Sequence, residues 1–144
     1  DKVATGPGQT CLGSDELIES ITLPKPGPRT GDAYLRFIPR TEMDIAVAGA
    51  GVSITVDESG TCTAARVAIG AVAPTALFVE AADQALVGSQ LDQAASDAAV
   101  AAARAAATPI SDKRGTAEYR THVVGVLVSR AIANAQARIT QARS

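Results

Sequence analysis

Hydrophobic and polar residues alternate in two runs near the middle of the chain. Between residues 52 and 56, three aliphatic residues alternate with a serine and a threonine, and this period of two predicts a strand over 45–56 with one buried face. Residues 57–60 (DESG) have the composition of a turn, and the alternation resumes over 62–72. The two runs therefore predict an antiparallel hairpin.

Two shorter runs upstream also have strand composition. Residues 16–23 (ELIESITL) place isoleucine and leucine before Pro24, which predicts a short strand that stops at the proline. Residues 33–39 (AYLRFIP) combine aromatic and β-branched side chains and predict a second strand. The prolines and glycines of residues 25–32 predict a loop between them. Strands are thus expected over about 16–80.

The pattern changes after residue 80. Residues 80–86, 91–107 and 117–137 are rich in helix-forming residues and contain no proline, so they predict three helices within about 80–141. Strands that precede helices favour an α+β fold over an alternating βαβ fold. We therefore predict a single domain over 1–144, an antiparallel sheet covered on one face by helices.

The last predicted helix carries apolar residues at spacings of three and four. This spacing predicts a stripe that faces the core, formed by Tyr119, Val123, Val126 and Leu127. The basic residues expected outside the stripe are Arg120, Arg130 and Arg138. The polar segment before the helix offers Asp112 or Thr116 as the residue that caps it.

Composition limits the kinds of function. Hydrophobic residues make up 47% of the 144 residues but aromatic residues only 3%, so the core should consist of Val, Ile, Leu and Ala, with little surplus for a large aromatic-lined cofactor pocket. The 13 basic and 15 acidic residues are spread along the chain, which argues against a nucleic-acid surface with clustered positive charge.

The chain has few histidines and cysteines, the residues that most often bind transition metals or take part in nucleophilic catalysis. His122 is the only histidine, which argues against a multi-histidine zinc site and against a hydrolase triad. Cys11 and Cys62 are too few for an iron–sulfur cluster, which ordinarily needs four thiolates, and we expect them to be free thiols in a reducing cytoplasm. We predict no metal site and no catalytic acid or base in this chain.

Two segments invite a nucleotide or phosphate interpretation. The glycines at 49 and 51 resemble the start of a dinucleotide fingerprint, but Ile54 stands where the third glycine belongs and a strand follows, so we reject that motif. No P-loop sequence is present. Arg36 and Arg40 are either solvated charges at the edge of the sheet or, for Arg36, a guanidinium that grips a phosphate or a flavin carbonyl.

Four strings along the chain, taken in order, resemble the C-terminal domain of the FAD-binding (medium) subunit of molybdenum hydroxylases, the family of the xanthine dehydrogenase and carbon monoxide dehydrogenase flavoproteins. Each string is weakly specific alone, but together they extend over almost the whole chain in the order of the family. The strings are ITLP at 21–24, AYLRF at 33–37 with Arg40 and DIA at 44–46, ARVAIGAVAPT at 65–75 and PISDKRGTAEYR at 109–120.

The resemblance implies an α+β domain in a complex where electrons pass from a molybdenum cofactor through iron–sulfur clusters to FAD. It implies partners, a molybdenum-binding large subunit and an iron–sulfur small subunit, that carry the other two centres. Most of the FAD contacts in the family belong to a region upstream of this domain, which we expect to lie outside this chain. By position, the resemblance assigns two cofactor contacts here: Arg36 as the basic residue of a Tyr-x-basic motif, and Ile18 as an apolar residue that lines the flavin.

Three interpretations follow for the function. The first is a domain that helps to complete the FAD site of an oxidoreductase subunit and that binds FAD weakly or not at all alone. The second is a purely structural module that docks other subunits without binding a cofactor. The third is an unrelated small α+β ligand-binding protein. In the first two cases the chain alone is not expected to be an active enzyme.

Overall fold

The computed structural model describes residues 3–40 and 43–141 of the chain. It has an antiparallel sheet of four strands and three helices, in the order expected for an α+β fold. The elements are β1 (Ala4–Gly6), β2 (Gln9–Thr10), β3 (Thr30–Phe37), β4 (Ala48–Val56), β5 (Cys62–Gly70), β6 (Leu77–Phe78), α1 (Glu80–Leu86), α2 (Gln93–Ala106) and α3 (Ala117–Gln141). The predicted fold class is confirmed.

The predicted hairpin forms the centre of the sheet. Strands β4 and β5 pair antiparallel, and the sheet order is β3-β4-β5-β6. The turn between them is fixed by Asp57, whose carboxylate accepts hydrogen bonds from the Ser59 hydroxyl and the Thr61 main-chain N–H. Gly60 has a φ of 89°, which glycine adopts without the strain that a side chain would add. The turn residues therefore close the hairpin as the sequence indicates.

The helices cover one face of this sheet. Helix α3 packs on β3 and β4, α1 packs on β5, and α2 lies against both other helices. Gly31 of β3 faces α3 so closely that a Cβ placed on it would collide with the Ala135 carbonyl oxygen. Alternate residues of β4, among them Ile54 with no exposed surface, fill the space beneath the helices. We call this helix-covered side the inner face.

One predicted strand is wrong. Residues 16–23 form no strand; residues 16–28 run without regular secondary structure and are exposed throughout. The apolar pattern is real, because Leu17, Ile21 and Leu23 are present, but these side chains are 79%, 78% and 83% exposed. A strand requires a partner for its backbone groups, and the described residues provide none here.

The core-facing stripe of α3 also differs from the prediction. Arg120, expected outside the stripe, is only 3% exposed, whereas Tyr119 is 44% exposed. The Arg120 guanidinium donates to the Val47 carbonyl oxygen at 2.9 Å and to Asp112 Oδ1 at 2.6 Å, and these two acceptors offset much of the cost of burying its charge, although its Nε has no acceptor among the described residues. The residues of α3 that are buried against the core are Val124, Leu127, Val128, Ala131, Ile132, Ala135 and Ile139. Thr116 caps the helix by accepting from the Tyr119 main-chain N–H.

Candidate functional site: the outer face of the sheet

The face of the sheet opposite the helices carries the candidate site. Side chains alternate between the two faces of a strand, and since Gly31 and Ala33 of β3 point to the helices, Asp32, Tyr34 and Arg36 point away from them. These three side chains are exposed. We call this side the outer face, and no helix of the described chain packs on it.

The predicted residue Arg36 lies on this outer face. It is exposed, and it sits in β3 opposite Gly49 of β4. None of the hydrogen bonds or ion pairs found within 3–40 and 43–141 engages its guanidinium, so its N–H donors have no partner among those residues. The neighbouring Arg40, by contrast, is paired with Asp44 at 3.4 Å.

Tyr34 is the residue of the outer face that sequence reasoning passed over. Its ring lies across the backbone of β4: a Cβ placed on Gly49 would be 3.1 Å from the tyrosine hydroxyl, and one placed on Gly51 would be 3.7 Å from Cδ2. Its side chain is nevertheless 68% exposed. The ring thus rests on two glycines and presents its other side outward, two residues from Arg36.

Beside Tyr34 the outer face forms a shallow groove of about 580 Å³. Its floor includes Gly51 and Ala68, and its far wall is Phe78 of β6, with the Arg66 guanidinium 4.7 Å from the ring centre. A guanidinium over an aromatic ring is attracted by the negative face of the ring. The small residues of the floor make this part of the sheet accessible to a flat molecule or to another protein surface.

The second predicted cofactor residue, Ile18, lies in the irregular segment 16–28, outside the strands of the sheet. Its side chain is 48% exposed, and neither the groove nor the other described cavities include it. That Ile18 and Arg36 contact one flavin therefore stays a prediction.

A cluster of charged residues near the start of α3 is held by contacts within the chain. Arg114 pairs with Asp44 at 3.2 Å and with Asp112, which also binds Arg120. The Arg114 main-chain N–H and the Arg120 guanidinium hold the pKa of Asp112 below its usual value, and the Ile45 main-chain N–H lowers the pKa of Asp44 most. These carboxylates remain ionised at neutral pH and fasten the start of α3 to the β3–β4 connection.

No group of three or more His, Cys, Asp and Glu side chains within 3–40 and 43–141 is arranged to hold a metal ion. His122 is exposed on α3, and both cysteines are free, Cys11 at the surface and Cys62 in the core. None of the helices in the described ranges is long and apolar enough to cross a membrane.

Comparison with known proteins gives consistent relatives. Residues 33–135 match the family described as CO dehydrogenase flavoprotein C-terminal domain. The carbon monoxide dehydrogenase medium chain of Afipia carboxidovorans is 42% identical over 129 residues, 90% of this chain and 44% of that protein. The xanthine dehydrogenase FAD-binding subunit of Escherichia coli O157:H7 is 28% identical over 134 residues, 92% of this chain and 46% of that protein.

A solved structure shares the fold. The carbon monoxide dehydrogenase of Hydrogenophaga pseudoflava superposes with a TM-score of 0.90 at 38% identity, covering 95% of this chain and 47% of that chain. The chain therefore spans a little under half the length of the relatives it matches.

Proposed function

Because this chain belongs to the family of CO dehydrogenase flavoprotein C-terminal domains, we propose that its outer face completes the FAD site of a molybdenum hydroxylase subunit. The observation that carries the proposal is the pair on β3: an exposed arginine with no partner among the described residues and, two residues away, a tyrosine whose ring lies over two glycines and stays 68% exposed. An aromatic surface beside a guanidinium suits a ligand that has a flat ring and negative charge.

The residues present fit the ring end of FAD. Bound FAD would accept electrons and pass them to an external acceptor, and that chemistry belongs to its isoalloxazine ring. Arg36 would donate hydrogen bonds to negative charge on the ring system or a phosphate, Tyr34 would present a stacking surface, and Ile18 would pack against the ring. The protein would thereby orient the flavin and tune its electronics, with no proton transfer assigned to these side chains.

The site in this chain would be partial. We find no glycine-rich phosphate loop at a helix N-terminus within the described residues, so most of the grip on the FAD diphosphate would come from the remainder of the subunit. We expect the chain alone to hold FAD weakly or not at all. The molybdenum cofactor and the iron–sulfur clusters would lie on a large and a small partner subunit, in a cytoplasmic complex.

The second function, docking without cofactor contact, is favoured by the irregular segment 16–28. Leu17, Ile21 and Leu23 are each more than three-quarters exposed, and burying apolar surface on a partner is favourable in proportion to its area. In this alternative the segment would pack against the rest of the subunit or against a partner subunit. Apart from Ile18, which lies within this segment, the two functions depend on different residues, and variants of Arg36 and of Leu17 with Leu23 test them separately.

Flavin binding by the full subunit that carries this domain tests the first function. Arg36→Ala should weaken FAD binding by about tenfold or more, the effect of losing a charge-assisted hydrogen bond in a partly enclosed site. Retained flavin is measured from its absorbance near about 450 nm after desalting. Arg130→Ala, which removes another exposed arginine, on α3, is the matched control and should leave the flavin in place.

Unchanged flavin content in Arg36→Ala would show that the assignment of this residue is wrong. The docking alternative predicts the opposite pattern for a Leu17→Ser, Leu23→Ser double variant. If docking is the only role, this variant loses its partners in size-exclusion chromatography and Arg36→Ala has no effect on flavin.

A further inference from the structure

The glycines beneath Tyr34 differ in how closely they meet its ring. On Gly49 a Cβ would lie 3.1 Å from the tyrosine hydroxyl, which is tighter than most contacts of real Cβ atoms, so the hydroxyl end of the ring would have to shift by a few tenths of an ångström. On Gly51 a Cβ would be 3.7 Å from the ring, an ordinary van der Waals contact. The resting position of Tyr34 thus depends on the absence of a side chain at 49 more than at 51.

Gly70 provides a natural comparison on the same face. It pairs directly with Gly49 across the β4–β5 ladder, so both are outer-face positions at the same level of the sheet. A Cβ on Gly70 would meet nothing within 4 Å. A substitution at Gly70 therefore controls for the loss of a glycine from a strand, because of the two only Gly49 lies under an aromatic ring.

We infer that Gly49 is a positioning residue for the flavin: it sets the height of the Tyr34 ring above β4 and so the place where a flat ligand stacks. The inference deepens the proposed FAD site and rests on it. An aromatic ring binds a flat ligand more tightly when its position is fixed before the ligand arrives, because ordering the ring on binding costs free energy. A bare backbone at 49 lets the ring lie directly on the strand, where it has little freedom to tilt inward.

The geometry also explains why a strand would keep glycine here. Glycine in the interior of a strand costs stability, because it loses more conformational freedom on folding and packs no side chain. Position 49 lies in the interior of the sheet between β3 and β5, where a β-branched residue would ordinarily be favoured. Close approach of the Tyr34 ring supplies the reason for tolerating that cost.

The first measurement follows the ring itself and needs no flavin. The chain has two tyrosines and no tryptophan, so labelling with 3-fluorotyrosine gives a ¹⁹F NMR spectrum with one resonance each for Tyr34 and Tyr119. Gly49→Val should shift the Tyr34 resonance, because the branched side chain occupies the place of the ring. Gly70→Val should leave it unchanged, and the Tyr119 resonance should stay in place in both variants.

The second measurement is FAD affinity in the full subunit, arranged as a double-mutant cycle. Gly49→Val should weaken FAD binding by about threefold to tenfold, in the range of an aromatic stacking contact. Gly70→Val should not weaken it. In a Tyr34→Ala background the effect of Gly49→Val should disappear, because the glycine acts through the ring.

The outcomes separate the inference from the function it rests on. A Tyr34 resonance that does not move in Gly49→Val, or an equal loss of FAD affinity for Gly49→Val with and without Tyr34, overturns the inference and leaves the flavin site standing. If Tyr34→Ala and Arg36→Ala both bind FAD as well as the unaltered subunit does, the proposed flavin site itself is wrong. Movement of the resonance together with a loss that depends on Tyr34 supports both.

Discussion

The two faces of the same sheet are built from alternating residues of the same strands, yet they have opposite properties. On the inner face, residues such as Ile54 and Val67 have no exposed surface and pack beneath the helices. On the outer face, Tyr34 and Arg36 are exposed and the neighbouring strand offers glycines and Ser53. Moving one residue along β4, from Ile54 to Ser53, changes the environment from fully buried core to a partly exposed surface.

This difference indicates how stability and function are divided in the domain. The hydrophobic effect acts on the inner face, where apolar area is removed from water. The outer face contributes little to hydrophobic stabilisation, so its residues can vary with the requirements of binding. Since the period of a strand is two, a register slip of one residue would exchange the faces, and the buried residues therefore also fix the orientation of the outer ones.

The largest effect that tests this division is a truncation in the core. Ile54→Ala should lower the free energy of unfolding by about 2–5 kcal/mol, because it removes buried methyl groups and leaves a cavity. Ser53→Ala, one residue away on the outer face, should change it by less than about 0.5 kcal/mol. Denaturant titration of both variants measures the two values. Similar values would contradict the division.

A pair of glycine substitutions makes the same comparison with a single methyl group. Gly31→Ala should destabilise the domain by about 1–3 kcal/mol, because its Cβ would collide with the Ala135 carbonyl oxygen of α3, a backbone group that cannot easily move. Gly49→Ala would meet only the movable end of Tyr34, so the free energy of unfolding should change by less than about 0.5 kcal/mol. Equal destabilisation by the two would show that the outer face is packed as tightly as the inner one.

Asp83 of α1 lies where this helix packs on β5, and it tests a polar contact between a helix and the sheet. Its carboxylate accepts a hydrogen bond from the Val67 main-chain N–H at 2.6 Å. Asp83→Ala should cost about 1–3 kcal/mol by leaving that N–H without its acceptor, and Asp83→Asn should retain most of the bond.

The pH dependence of Asp83 has a defined sign. Desolvation raises the pKa of Asp83 above its ordinary value of 3.8, so the folded state favours the protonated acid. The stability of the unaltered protein relative to Asp83→Asn should fall as the pH rises from 3.8 through the raised pKa, and should level off above it. Thermal unfolding of both proteins across this range measures the difference. A rise with pH would contradict the assigned direction.

The smallest expected effect concerns the far wall of the outer-face groove. Phe78→Leu removes the ring beneath the Arg66 guanidinium and should cost about 0.5–1 kcal/mol, the range of an exposed cation–π contact. Arg66→Gln in the same background should add nothing further, because the contact is already lost. A double-mutant cycle on the unfolding free energy detects the pair, and a coupling of zero would show that the two side chains do not interact.

Sequence patterns predicted the elements whose stability comes from a repeating local feature. The period of two in β4 and β5 and the turn at Asp57 gave the hairpin, and α1 begins and ends where its composition changes. The strand expected over residues 16–23 failed because the alternation supplies one face but no pairing partner. Arg120 was misplaced because its burial depends on acceptors outside its helix, the distant Val47 carbonyl and Asp112 in the preceding loop, which the periodicity of the helix does not reveal.

The candidate site was predictable only in part. Alternation along β3 is enough to place Arg36 on the opposite side from Ala33, and the resemblance singled it out. The position of the Tyr34 ring required the register of β3 against β4, which brings Gly49 and Gly51 beneath it. One sequence signal for this arrangement was available: two glycines, two residues apart, within a predicted strand. Strand interiors normally disfavour glycine, so such a pair indicates a close approach to the backbone.

Strand β3 is also an edge of the sheet, and an edge offers unpaired backbone groups to any passing strand. Arg138 of α3 reaches over and donates to the Asp32 main-chain oxygen at 2.6 Å and to its carboxylate at 3.0 Å. A charged side chain that hydrogen-bonds to a main-chain carbonyl of an edge strand makes it harder for the edge strand of another copy to pair there. The edge strand β3 is thereby protected from pairing with another strand, while its outer face, with Tyr34 and Arg36, remains accessible.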